Sequence, residues 1–133
     1  MLRRAHARGL YDVLHQAELV YYLRTQPAAF DAVVSADTLC YFGVLDEAFA
    51  AARRSLKPGG ALVFTVEALP EGTPSPHRLQ DNGRYAHGRA YVEAALAGAG
   101  FDVRSLRAEP LRMEGGEPVP GWLVSAAVGA ARP

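Results

Sequence analysis

The chain has 133 residues, enough for one domain or a piece of a larger one, and half of them are hydrophobic, so a packed core is expected and disorder is not. Basic and acidic residues balance at 14 each, which argues against a nucleic-acid surface, and the single cysteine, Cys40, rules out an intrachain disulfide or a cysteine-based zinc cluster. No apolar run approaches the roughly 20 residues of a membrane span, and the arginines of MLRRAHARGLYD precede no apolar stretch, so neither a membrane segment nor a secretory signal is read and the expected compartment is the cytoplasm.

Residues 1–8 read as a helix stopped at Gly9, residues 13–16 as a short strand, and LVYYLR, 19–24, as helical turns ended near Pro27. FDAVVSAD, 30–37, is apolar and β-branched at its centre, the pattern of a parallel strand covered on both faces. From Val44 to Leu56, Leu45, Ala48, Phe49, Ala52 and Leu56 recur at helical spacing. Asp46 and Glu47 open that helix while Arg53, Arg54 and Lys57 close it, matching its dipole. Pro58 disfavours helical geometry at Lys57, and Gly59-Gly60 supply positive φ for a reversal. ALVFTVE, 61–67, then reads as a buried strand, so 30–67 is a right-handed strand–helix–strand unit.

The stretch 69–83, LPEGTPSPHRLQDNG, reads as one long loop, with Asp81-Asn82-Gly83 as a turn. RAYVEAALAGAG is a second helix with Tyr91, Val92, Ala95, Leu96 and Ala99 on its buried face. Two strands follow, 101–113 and 119–128, joined by EGGEP, where Gly115-Gly116 is a hairpin signal.

In that order, these words resemble the C-terminal half of a class I S-adenosylmethionine-dependent methyltransferase. FDAVVSADTLCYFGVLDEAFAAARRSLKPGGALVFTVE is similar to the family's fourth strand, next helix and fifth strand, with LKPGG its most recognisable word. GRYAHGRAYVEAALAGAGF resembles the following helix, above all in the methyltransferases attached to tetratricopeptide repeats. The resemblance implies an α/β fold: a partial Rossmann-like sheet holding strands 3 to 7 of the order 3-2-1-4-5-7-6. It further implies three αβα layers and a C-terminal antiparallel hairpin. It also implies a cofactor, S-adenosylmethionine. The family's G-x-G-x-G turn and ribose-binding acid do not occur in these residues. Residues 1–133 are therefore expected to be a partial domain, either a fragment of a longer product or an inactive remnant.

Carried over residue by residue, the resemblance makes Glu18 the acceptor for the adenine amino group and gives Leu19 a backbone N–H for a ring nitrogen; a solvated Glu18 is the plain alternative. Ser35, Ala36 and Asp37, beyond the fourth strand, fall beside the methionine part of the cofactor, or Asp37 only caps a turn. Tyr41, Arg84 and Tyr85 fall on the substrate side. His87 is a weak candidate for a general base, set against a histidine simply bonded to backbone at a helix start. Cys40 reads as a small core residue. His6, His15 and His77 have no partner at metal-ligand spacing, and no metal is expected.

Two functions follow from different classes. One is methyl transfer to an acceptor that the sequence does not name; the other is a non-catalytic α/β interaction module derived from the same fold. A further expectation concerns residues 31–36. With two strands of the family's sheet lacking, that strand becomes an edge, to be paired by a second copy of the chain or covered by the N-terminal segment. Light scattering on the wild type and on Val33→Lys tests this; a monomer at high concentration with residues 1–26 mobile by NMR contradicts both outcomes.

Overall fold

A computed structural model of the protein describes residues 19–36 and 38–129. The elements expected over 1–8 and 13–16, together with His6, His15, Glu18 and Asp37, lie outside the described residues.

Residues 19–24 are helical as read, with Val20 and Leu23 buried and Tyr21 and Tyr22 exposed. Strand β1 (Phe30–Ser35) leads through a single 3₁₀ turn, Leu39–Tyr41, to helix α1 (Asp46–Ser55). Leu45, Ala48, Phe49 and Ala52 are all buried, as their spacing requires, and the acidic and basic ends complement the dipole.

The junction after α1 differs from the expected helix-to-strand turn. Strand β2 (Leu56–Ala68) opens directly after Ser55, because Leu56 already pairs with Phe30 of β1. Lys57-Pro58-Gly59-Gly60 is then an outward bulge: the pairing passes from Phe30↔Leu56 to Ala32↔Ala61, so four residues of β2 oppose one of β1. Both glycines are needed there. Gly59 sits at φ 79°, and a Cβ on Gly60 would stand 2.9 Å from the carbonyl oxygen of Lys57 and 3.1 Å from that of Asp31.

The long loop also differs. Its second part forms a hairpin of two three-residue strands, β3 (His77–Leu79) and β4 (Tyr85–His87), and only 69–76 is irregular. The turn is closed by Gln80 N–H to Arg84 O at 2.9 Å and Gly83 N–H to Gln80 O at 3.0 Å. Proline and glycine density hid strands this short. Helix α2 (Arg89–Gly98) stops before Gly100, whose φ is 92°. Strands β5 (Phe101–Glu114) and β6 (Glu117–Val128) are longer than expected and meet at a two-residue Gly115-Gly116 turn with φ 56° and 82°.

The six strands form one mixed sheet in the order β3-β4-β2-β6-β5, with β1 also on β2. Strands β1 and β4 both run parallel to β2; β1 pairs along Leu56–Phe64 and β4 at Glu67 and Ala68. Strand β6 runs antiparallel between β2 and β5. Alternation along β2 puts Leu62, Phe64 and Val66 on one face, where they form a core with α1, α2, Leu23 and Trp122. The Phe49 and Phe64 rings lie 5.2 Å apart in it. Among the described residues β2 is the one partner of β1, and Val34 is 73% exposed, so the expected cover on both faces of this strand is not found there.

Candidate functional site

The parallel strands β1, β2 and β4 end on the same side of the sheet, the side where open α/β sheets carry their ligands. Two groups of side chains gather there.

The first lies beyond β1. Leu19, Leu23, Val33, Ser35, Ala36 and Phe49 help to line a cleft of about 260 Å³ between β1, the helical residues 19–24 and α1. Three residues carried over for cofactor contact, Leu19, Ser35 and Ala36, thus meet in one wall, although they come from two segments. Among the described lining residues none is charged. An apolar cleft whose polar side chains, among the described lining residues, are the hydroxyls of Ser35 and Thr38 fits a flat aromatic base better than a charged group.

The second group surrounds the C-terminal end of β2, and the sheet divides it. Ala86 pairs with Glu67, and alternation turns Arg84 to that side while Tyr85 and His87 turn to the helix side. On the helix side, His77, Tyr85, His87 and Tyr91 form a cluster of rings, with His77 edge-on to Tyr85 and to Tyr91 at 5.7 Å and His87 stacked on Tyr91 at 6.2 Å. The Tyr91 hydroxyl accepts from the Leu45 N–H at 2.8 Å and donates to Asp46 at 2.9 Å, tying α2 to the start of α1.

His87 is fully buried. Its Nε2 lies 3.0 Å from the carbonyl oxygen of Gly43. A carbonyl only accepts, so Nε2 carries the proton, and Nδ1 has no hydrogen-bond partner among the described residues. The Trp122 indole N–H donates to the His87 carbonyl at 3.0 Å. These contacts are those of the backbone-bonded histidine weighed from the sequence, on β4 rather than at a helix start. Cys40 is buried, as read.

Burial, the largest cause, holds the His87 imidazole below its ordinary value of 6.5 against the opposing pull of the Gly43 carbonyl. The folded chain therefore keeps His87 neutral, while the unfolded chain takes a proton once the pH falls below about 6.5. Stability from this residue is complete above that pH and is lost as the pH falls toward the depressed folded value. Urea midpoints should drop as the pH goes from about 7.5 to about 5.5, and His87→Asn should flatten that drop. Equal pH slopes for the two proteins would remove His87 as the cause.

On the other side of the sheet a charged network encloses Glu67, whose side chain is 3% exposed. Its Oε1 accepts from Gln80 at 2.9 Å and Asn82 at 3.4 Å, and its Oε2 from Arg112 at 2.9 Å, with Arg84 Nε 3.9 Å away. Arg84 and Arg112 also converge on Glu114. The Tyr41 side chain bonds Arg84 and is the main cause that raises its pKa further; Glu114 adds to this. The carried-over pair Tyr41 and Arg84 is thus in contact. Glu67, Arg112 and Glu114 were not singled out from the sequence. The available signal was an acid at the end of the apolar run ALVFTV, a position where a buried charge needs partners.

The mixed sheet with its helices and terminal antiparallel hairpin matches the fold of solved methyltransferase structures. Residues 1–64 match the family model described as a methyltransferase domain. A SAM-dependent methyltransferase from Methanosarcina mazei is 16% identical with a TM-score of 0.61, over 80% of this chain and 62% of that one. A Haemonchus contortus phosphoethanolamine N-methyltransferase, solved with phosphomonomethylethanolamine and S-adenosylhomocysteine, is 17% identical with a TM-score of 0.56, over 80% of this chain and 35% of that one. The [4+2]-cyclase SpnF is 16% identical with a TM-score of 0.63, over 79% of this chain and 52% of that one. No curated protein sequence matches the chain. The chain spans 52–62% of the length of the first three structures it matches.

Proposed function

We propose that these residues are the C-terminal part of an S-adenosylmethionine-dependent methyltransferase domain, of the kind attached to tetratricopeptide repeats. The observation that carries the reading is the uncharged cleft beyond β1, which joins Leu19, Ser35 and Ala36 in a chain whose residues 1–64 match a methyltransferase domain. S-adenosylmethionine supplies a methyl group on a sulfonium that is already a good leaving group. The protein then has to bind, align and exclude water rather than form a covalent intermediate. In this reading the apolar lining takes the adenine, Glu18 accepts from its amino group, and Ser35, Ala36 and Asp37 flank the methionine part. Tyr41 and Arg84 border the acceptor, whereas Tyr85 turns to the helix side of the sheet, against His77. His87, fully buried, supports β4 from behind.

Because no G-x-G-x-G turn occurs in the sequence, these residues supply the adenine edge and one wall of the methionine part, and the ribose contacts have no donor among them. Calorimetry with S-adenosylmethionine tests this in two arms. The 133-residue chain alone should give little or no heat. A chimera joining it to the part of the Methanosarcina mazei protein that it does not cover should bind, and Glu18→Ala should weaken that binding by about 0.5–1.5 kcal/mol. A folded chimera with no affinity overturns the reading. Micromolar binding by the chain alone would mean that the site is built differently. The second reading, a non-catalytic module, is favoured by the same lack of a Gly-rich turn, and the cyclase among the similar structures makes the wider point that chemistry is not fixed by fold.

A further inference from the structure

Arg84 Nη1 and Arg112 Nε approach the same oxygen, Oε1 of Glu114, at 2.6 and 3.0 Å. The two arginines come from distant segments, the β3–β4 hairpin and the end of β5, and their side chains are 27% and 24% exposed. Behind them stands the buried carboxylate of Glu67, bonded to Arg112 and close to Arg84. Tyr41 bonds Arg84 as well. The guanidinium pair is thus held from the rear before any ligand arrives, which is the preorganisation an anion receptor needs.

The charges of this group also balance in a particular way. Glu67 offsets one of the two arginines, so one positive charge is left for Glu114 to meet. Glu114 itself is 40% exposed and is the last residue of β5, beside the Gly115-Gly116 turn. Its cross-strand neighbour is Glu117, a like charge directly opposite, which disfavours its position in the ladder. A rigid two-arginine fork is therefore filled by a carboxylate that stands at a glycine turn and is opposed by its own neighbour.

We propose that Arg84 and Arg112 form a carboxylate-binding subsite, and that Glu114 is its internal, exchangeable occupant, displaced by a small molecule bearing one carboxylate. The subsite borders Tyr41 at the C-terminal end of β2. That its ligand is the methyl acceptor rests on the function proposed above; the binding itself does not. Two guanidinium groups that already converge on one carboxylate oxygen suit a carboxylate ligand, so the acceptor class is an organic acid.

The test follows the Arg Nε–Hε signals by NMR while benzoate is added to the 133-residue chain, with inorganic phosphate as a second probe. In the wild type, benzoate should bind weakly because Glu114 competes. In Glu114→Gln it should bind roughly tenfold more tightly, the value of one charged hydrogen bond, with the shifts confined to Arg84 and Arg112. Arg112→Lys placed on Glu114→Gln should abolish the gain. Glu114→Ser serves the same purpose if the glutamine variant does not fold. Phosphate should bind less tightly than benzoate; equal or tighter phosphate binding would overturn the assignment to carboxylates. No saturable shift in either Glu114 variant, or equal affinity in variant and wild type, overturns the subsite. Neither outcome depends on S-adenosylmethionine, so failure here is distinct from failure of the methyl-transfer reading.

Discussion

Glu67→Ala is expected to destabilise the chain by about 3 kcal/mol, because removing the buried carboxylate leaves two arginines with Glu114 as their shared counter-charge. The buried carboxylate collects Gln80, Asn82 and Arg112 directly and Arg84 at longer range. Cases of this kind cost about 3–5 kcal/mol, and the lower end applies because water reaches both arginines. Glu67→Gln keeps an acceptor and should cost about 1–2 kcal/mol, in the range of a lost charged hydrogen bond. Urea unfolding followed by the fluorescence of Trp122 measures both. The loss should also be local: the amides of Gln80 and Arg84 close the β3–β4 turn and should lose hydrogen-exchange protection first. A change below about 1 kcal/mol would reduce the network to an ordinary surface one.

Gly121→Ala should cost about 2 kcal/mol, from overpacking. Gly121 lies in β6 opposite Glu67 of β2 and Glu109 of β5. The Leu111 side chain already fills the space that a Cβ on Gly121 would occupy. Leu111 sits at the irregularity between Pro110 and Arg112, so pushing it aside also moves the residue that aims Arg112 at Glu67. Leu111→Ala on top of Gly121→Ala should recover part of the loss, and the double-mutant cycle should show coupling of about 1 kcal/mol. Purely additive losses would mean that the two residues do not share that space.

Much of the fold was legible because it rests on local pattern. Leu45, Ala48, Phe49 and Ala52 fix α1 by spacing, and Gly115-Gly116 fixes the final hairpin by backbone conformation. The family words then gave the order of elements, and β6 does lie between β2 and β5. The β3–β4 hairpin was not legible. Its strands are three residues each, too short to show alternation, and β4 is held partly by pairing with the far end of β2. The Pro58-Gly59-Gly60 bulge was misread as a turn because nothing local says that Leu56 already pairs with Phe30.

The sequence by itself determined the longer elements and the α/β class, since these depend on spacing along the chain; the residues expected near a cofactor came from the family resemblance. Only the tertiary structure decided that Leu19, Ser35 and Ala36 share one cleft, and that Tyr41 reaches Arg84. It alone put His87 in the core and Glu67 between two arginines. The reason is physical. Whether a histidine or a glutamate is a site, a strut or a solvated side chain depends on its burial and on partners as far as 45 residues away in sequence, as with Arg112 and Glu67, and neither is written in local periodicity.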